Sequence, residues 1–171
     1  ANSKNYLYER EGYGDWVATV ASPKKPIGAA YFYPSTNLLA KMAAAIGKAE
    51  DAAKYTDLAA KIAAAFNKTY LDPKTSAYPG GTQTANLLPL CFGITPKESR
   101  AAVFANIAKD VETRGGHLST GFLGTPGLLP VLSAYGRHDL AYEVIAQDSF
   151  PSLGYMVRNG ATTIWELWDT D

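Results

Sequence analysis

The sequence has little cysteine, little histidine, no charge imbalance and no long apolar run. Sixteen lysines and arginines stand against sixteen acids, so the net charge is zero over 171 residues. With no basic patch and no acidic tail, no nucleic-acid partner is expected. The apolar runs are short and interrupted, so no membrane span is expected. Ala1 to Arg10 is polar and tyrosine-bearing, with no apolar signal-peptide core. The single cysteine, Cys91, cannot form an internal disulfide. It lies among Leu87, Leu88, Leu90 and Phe92, which reads as a buried structural thiol rather than a nucleophile. One cysteine does not fix a compartment; a cytoplasmic setting is the expectation over a periplasmic or secreted one. The two histidines, His117 and His138, are far apart in sequence and pair with no carboxylate at metal-ligand spacing. Neither a metal nor a cofactor is expected. What remains is a neutral, aromatic-rich piece the size of one domain or part of one, able to bury ~70% of its unfolded surface.

Tryptophan is also scarce, and that makes its placement informative. The three are Trp16, Trp165 and Trp168, and two of them flank one acid, Glu166, after the small run Gly160-Ala161-Thr162-Thr163. Apolar rings beside a carboxyl disfavour its charged form, and they offer a sugar ring a flat face. A general acid or base of a glycosidase needs such a setting. The plainer reading is a Trp-rich core segment whose acid points to solvent.

Taken in order, residues 1–27 read as irregular, punctuated by Gly12, Gly14, Pro23 and Pro26. Leu38, Leu39, Met42 and Ile46 then recur at helical steps and give a first inward face, stopped by Gly47. Glu50 and Asp51 open a second helix with the stripe Tyr55, Leu58, Ala59, Ile62, Ala63, Phe66 and Tyr70. A third, from about Ala85 to Phe92, is apolar nearly all round. Thr95-Pro96-Lys97-Glu98 reads as a capping box for a fourth, whose inner face is Val103, Phe104, Ile107, Ala108 and Val111. Thr125-Pro126 reads as N-cap and first residue of a fifth, kinked by Pro130. Residues 137–148 form a sixth, and Ser152 to Val157 reads as extended. His138 is expected to be exposed, and Asp139, Glu143 and Asp148 to form a solvated helix face.

The first, third and fifth helices are apolar over much of their surface; the second, fourth and sixth are amphipathic. That alternation describes an inner and an outer layer of antiparallel hairpins. The long connections should then gather at one end. These are Asp15-Trp16, Thr82-Gln83-Thr84, His117 to Thr125 and Gly160 to Asp169. A helical-repeat solenoid acting as a binding or scaffold module is the alternative, although the spacings, about 55, 40 and 40 residues, are uneven for one.

The loops carry a further signal. Gly14-Asp15-Trp16, Thr82-Gln83-Thr84, His117 through Thr125, Gly154-Tyr155-Met156-Val157 and Gly160 through Asp169 together resemble the catalytic domain of bacterial α-L-rhamnosidases, in the family's order and over essentially the whole chain. The resemblance implies an all-α fold, about half of an (α/α)6 toroid. It makes residues 1–171 a partial catalytic domain lacking an upstream half and a downstream end. It implies an inverting glycoside hydrolase that removes terminal α-L-rhamnose, with Glu166 as the general base. The family's general acid lies in an Arg-Asp-Glu-Arg…Gly-Trp type of segment that this sequence does not contain, nor does it contain the Asn-His segment that follows the base. The isolated chain is therefore expected to be nearly inactive. Asp15, Trp16, His117, Trp165 and Trp168 are the candidate sugar-binding residues; the alternatives are a turn cap for Asp15, a hydrogen-bonded structural histidine for His117 and core packing for any one tryptophan. Gln83 and Thr120 read as loop braces. The expected partners are a rhamnose-containing glycoside, the missing half of the domain and, through exposed apolar helices, a second copy.

Overall fold

A computed structural model describes residues 3–169. A small antiparallel hairpin, β1 (Ser3–Lys4) and β2 (Leu7–Tyr8), comes first. Then follow α1 (Lys24–Ala45), α2 (Ala49–Tyr70), α3 (Gln83–Cys91), α4 (Arg100–Thr113), α5 (Thr125–Ala134), α6 (His138–Ala146) and α7 (Leu153–Arg158). Three antiparallel hairpins result: α1 with α2, α3 with α4, α5 with α6. Consecutive inner helices α1, α3 and α5 touch, and the outer helices α4 and α6 touch. The layered arrangement of hairpins expected from helix polarity is present.

Helix α3 is the central post. Nearly every residue from Gln83 to Pro89 is buried. Leu87 joins one apolar cluster, with Ile107, Val111, Leu128, Leu132, Leu140, Val144, Met156 and Trp168. Its neighbour Leu88 joins the other, with Ile27, Ala29, Ala30, Phe66, Tyr78, Ile94 and Val103. Adjacent positions on a helix point about 100° apart, so one helix can feed two cores. Its surroundings explain why the sequence there shows no polar face. The stripe read for α2 is the buried one, with Ala59, Ile62 and Phe66 innermost.

Several local expectations are corrected. Helix α1 begins at Lys24, inside the stretch read as irregular, because Pro26 sits in the first turn, where its missing N–H is not required. Pro34 lies within α1, and just beyond it Ser35 and Thr36 back-bond the carbonyls of Tyr31 and Phe32, each at 2.8 Å. The residues read as its inward face turn outward: Leu38, Leu39, Met42 and Ile46 are all exposed, while Ala29, Ala30, Ala40 and Ala43 are buried. Small residues let α1 lie close to its neighbours, so the alanines carry the contact. Thr95 does not cap α4. Its hydroxyl takes a hydrogen bond from the Tyr78 hydroxyl at 3.2 Å, and Pro96 leads into a short 3-10 turn, Lys97–Ser99. Thr125 is the first residue of α5 rather than its cap. Ser152 to Val157 is helical rather than extended. The Ser152 hydroxyl accepts the Tyr155 N–H at 2.9 Å and starts α7. Cys91 is exposed rather than buried.

Candidate active site

The four long connections meet at one end of the hairpins, and hydrogen bonds tie them together. Gln83 is fully buried at the start of α3. Its amide donates to Asp110 at 2.9 Å and to the His117 carbonyl at 3.2 Å, and its carbonyl accepts the Ser119 N–H at 2.8 Å. Thr120 holds Thr125 through their hydroxyls at 2.8 Å, and its carbonyl accepts the Trp168 indole N–H at 3.0 Å. Both residues brace loops, as the sequence suggested.

Asp15 lies beneath this assembly, 8% exposed. Its Oδ2 accepts the Thr84 hydroxyl and, at 2.7 Å, the Gly121 N–H. Its Oδ1 accepts the Leu123 N–H at 2.7 Å and the Gly124 N–H at 3.4 Å. A carboxylate has about four lone-pair sites, and here four donors take them. These donors support the other reading of Asp15, a residue that braces a turn. Two glycines make this close packing possible. A Cβ on Gly121 would overlap the Trp16 carbonyl oxygen, and one on Gly124 would come within 2.7 Å of the Thr120 methyl carbon.

His117 is held at both ring nitrogens. Its ring nitrogens lie 3.0 Å from the Arg114 carbonyl and 2.8 Å from the Ser149 hydroxyl. Bonding a carbonyl requires the proton on Nδ1. The ring joins the end of α4 to the segment before α7 and takes no part in the cavity described next.

Beside the loops lies a cavity of about 200 Å³, walled by Val17, Phe122, Pro126, Leu153, Met156, Ile164, Trp165 and Trp168, with Glu166 at its rim. Among the described residues, Glu166 is the only carboxylate that lines it. Trp165 is partly buried and Trp168 is 8% exposed. Trp16 is 53% exposed, and its Nε1 lies 3.3 Å from Glu166 Oε1, across 150 residues of sequence. Glu166 and all three tryptophans thus converge, whereas Asp15 stands behind the wall and His117 to one side. Leu153 and Met156 were missed as wall residues because their segment reads as extended from apolar content alone. The signal that could have found them is the Ser152 cap, followed by a left-handed Gly160 at the helix end. Among the described residues no cluster of histidine, cysteine or carboxylates could hold a metal ion.

Comparison with known proteins agrees with this architecture. Residues 1–171 match the family described as the bacterial alpha-L-rhamnosidase 6 hairpin glycosidase domain. An alpha-L-rhamnosidase of Streptomyces avermitilis is 43% identical over 170 residues, which is 99% of this chain and 16% of that protein. One from Formosa agariphila is 33% identical over 178 residues, covering 99% of this chain and 19% of its own length. The chain thus spans under a fifth of each of these two relatives. Among solved structures, the Streptomyces avermitilis alpha-L-rhamnosidase complexed with L-rhamnose superposes with a TM-score of 0.93 at 43% identity, over 98% of this chain and 16% of that one. A native alpha-L-rhamnosidase from Aspergillus terreus gives 0.92 at 28% identity, over 99% of this chain and 21% of that one. With three hairpins, the four gathered loops and a match along its whole length, this chain belongs to the bacterial alpha-L-rhamnosidase six-hairpin glycosidase domain family.

Proposed function

We propose that this chain is the general-base side of an inverting glycosidase that removes terminal α-L-rhamnose from glycosides or oligosaccharides. The observation that carries the reading is Glu166 at the rim of a cavity walled by Trp165 and Trp168, with the Trp16 N–H on one carboxylate oxygen. The cavity is on the scale of one sugar ring, and aromatic faces suit the C–H face of such a ring. The rest of its wall is largely apolar, with Val17, Phe122, Leu153, Met156 and Ile164, which suits a 6-deoxy sugar carrying a methyl where a hexose carries a hydroxymethyl.

In this mechanism a water sits between Glu166 and the anomeric carbon. Its proton passes to the free Glu166 oxygen as its lone pair forms the new C–O bond. The glycosidic C–O bond breaks on the opposite face, and its electron pair leaves on the aglycone oxygen, which takes a proton from the general acid. That acid must stand about 6.5–9.5 Å from the base in an inverting enzyme. Among the described residues no second carboxylate lines the cavity, and Asp15 is fully engaged. This reading assigns the acid to another segment of a longer protein of the family, of which the chain spans under a fifth in the two relatives compared. Without it, the isolated segment loses the about 10²–10⁴-fold that general-acid catalysis supplies.

The test uses a longer protein that carries this segment, assayed on an aryl α-L-rhamnoside and on other aryl glycosides. Selective cleavage of the rhamnoside, with β-L-rhamnose as the first anomer seen by proton NMR, is the expected outcome. Release of the α anomer, or preference for another sugar, contradicts the reading.

A further inference from the structure

The hydrogen bonds around Asp15 and Trp16 reach the candidate base. Asp15 binds the loop after α4 at Gly121 and Leu123, both at 2.7 Å, and the start of α3 through the Thr84 hydroxyl. The next residue, Trp16, is locked through its main chain: its carbonyl accepts the Phe122 N–H at 2.9 Å. Its side chain reaches the candidate base, where the indole N–H meets Glu166 Oε1 at 3.3 Å. On the other side of the acid, Trp168 is tied to the same loop through the Thr120 carbonyl at 3.0 Å. Among the described residues only Oε1 of Glu166 has a hydrogen-bond partner.

A base that works on water has two needs. One carboxylate oxygen must be free to take the proton, and the group must not rotate out of line. An exposed carboxylate on an irregular segment has neither guarantee from the backbone, and residues 161–169 form no regular element. A fixed indole N–H on one oxygen meets both needs, because it orients the group and leaves Oε2 facing the water. Indole nitrogen can only donate, so its partner must be an acceptor such as this carboxylate. Asp15 has no contact with Glu166 itself. It holds the backbone from which Trp16 extends, and it holds the loop against which Trp16 is pinned.

We propose that Asp15 and Trp16 form a positioning unit for Glu166, with Trp16 fixing Oε1 and Asp15 fixing Trp16. The proposal rests on Glu166 being the general base. It gives Trp16 a different task from stacking on the sugar, and it replaces the sugar contact first expected of Asp15 with an indirect role.

The experiment again uses a longer protein carrying this segment, with an aryl α-L-rhamnoside as substrate. Trp16→Phe keeps an aromatic face and removes the N–H. The expected result is a fall in kcat of about 10- to 100-fold with KM within about threefold, since catalysis is sensitive to small misplacements of a reacting group. Asp15→Asn should show the same split. A sugar-stacking role would move KM instead, and a purely structural role would lower the melting temperature without the kcat loss. A spectroscopic reading accompanies the kinetics: in ¹H–¹⁵N spectra the Trp16 indole N–H resonance should move in Glu166→Gln and in Asp15→Asn. If Asp15→Asn does not fold, Trp16→Phe and the indole resonance decide, because Trp16 is half exposed and its ring is retained. Either variant, folded and retaining kcat within twofold, overturns the unit. Glu166→Gln separates the two readings. If it abolishes turnover while Trp16→Phe does not, the base assignment stands and the positioning unit falls; if it leaves turnover intact, both fall.

Discussion

Replacing Gly121 with alanine should destabilise the chain by separating the two loops that build the site wall. The added Cβ would overlap the Trp16 carbonyl oxygen, come within 2.6 Å of the Ala18 nitrogen and within 2.8 Å of the Trp16 carbonyl carbon. All three are backbone atoms, so no side-chain rotation relieves the clash. The loop must move, and two hydrogen bonds go with it: Gly121 N–H to Asp15 at 2.7 Å and Phe122 N–H to the Trp16 carbonyl at 2.9 Å. The first involves a charged acceptor and is worth about 1.5–3 kcal/mol, the second about 0.5–1.5. The sum, about 2–4.5 kcal/mol, corresponds to a fall in Tm of roughly 4–18 °C for a chain of this size. Two further glycines calibrate the result. Gly47 has open space around it but φ +74 at the end of α1, so Gly47→Ala should cost only the left-handed penalty of about 1–2 kcal/mol. Gly12 has nothing within 4 Å and no left-handed φ, so Gly12→Ala should leave Tm within about 1 °C. Thermal unfolding by circular dichroism on the three variants is the assay. Equal Tm for Gly121→Ala and Gly12→Ala would refute the reasoning.

Other outcomes follow from the same structure. Burial pushes the Tyr78 phenol up to about 12, so the folded chain favours the neutral form. Stability should be complete below the ordinary phenol value near 10, then fall between there and about 12 as the unfolded phenol ionises first, by about 3 kcal/mol. Urea unfolding against pH tests this, and a Tyr78→Phe chain should lack that decline; the same alkaline loss without the phenol would refute it. On α1, Leu38, Met42 and Ile46 are 58%, 57% and 73% exposed, a face suited to the rest of a hairpin ring or to a second copy. The chain should self-associate in sedimentation velocity, and changing these three residues to Gln should weaken association at least tenfold. Unchanged association in that variant would place the contact elsewhere.

The layered hairpins were legible because each outer helix carries a clean stripe, such as Ala59, Ile62 and Phe66, and because glycine stops mark the helix ends. The face of α1 was not legible. Leu38, Leu39, Met42 and Ile46 have the right spacing for a core, but spacing does not say which side has a neighbour, and the alanines opposite them make the contact. The start of α1 was hidden by Pro23 and Pro26, which are loop signals unless they fall in a first turn. Helix α7 was hidden by its shortness, since six residues are too few for periodicity to show. In the site, Glu166 and its flanking tryptophans stood out by rarity, and convergence of the loops followed from helix polarity. The direction of Asp15 could not follow from either. An acid beside a tryptophan in a loop suits a ligand and an anchor equally, and only the four donors around it decide. The setting of His117 was hidden for the same reason: its partners, Arg114 and Ser149, are set by tertiary packing.

The account's central claim is that Glu166 deprotonates the attacking water. Glu166→Gln keeps the shape of the side chain and its place at the cavity rim while removing the base. In a longer protein carrying this segment, kcat on an aryl α-L-rhamnoside should fall by at least about 10²-fold, with L-rhamnose binding, read by calorimetry, kept within about threefold. Turnover like that of the parent would contradict the claim.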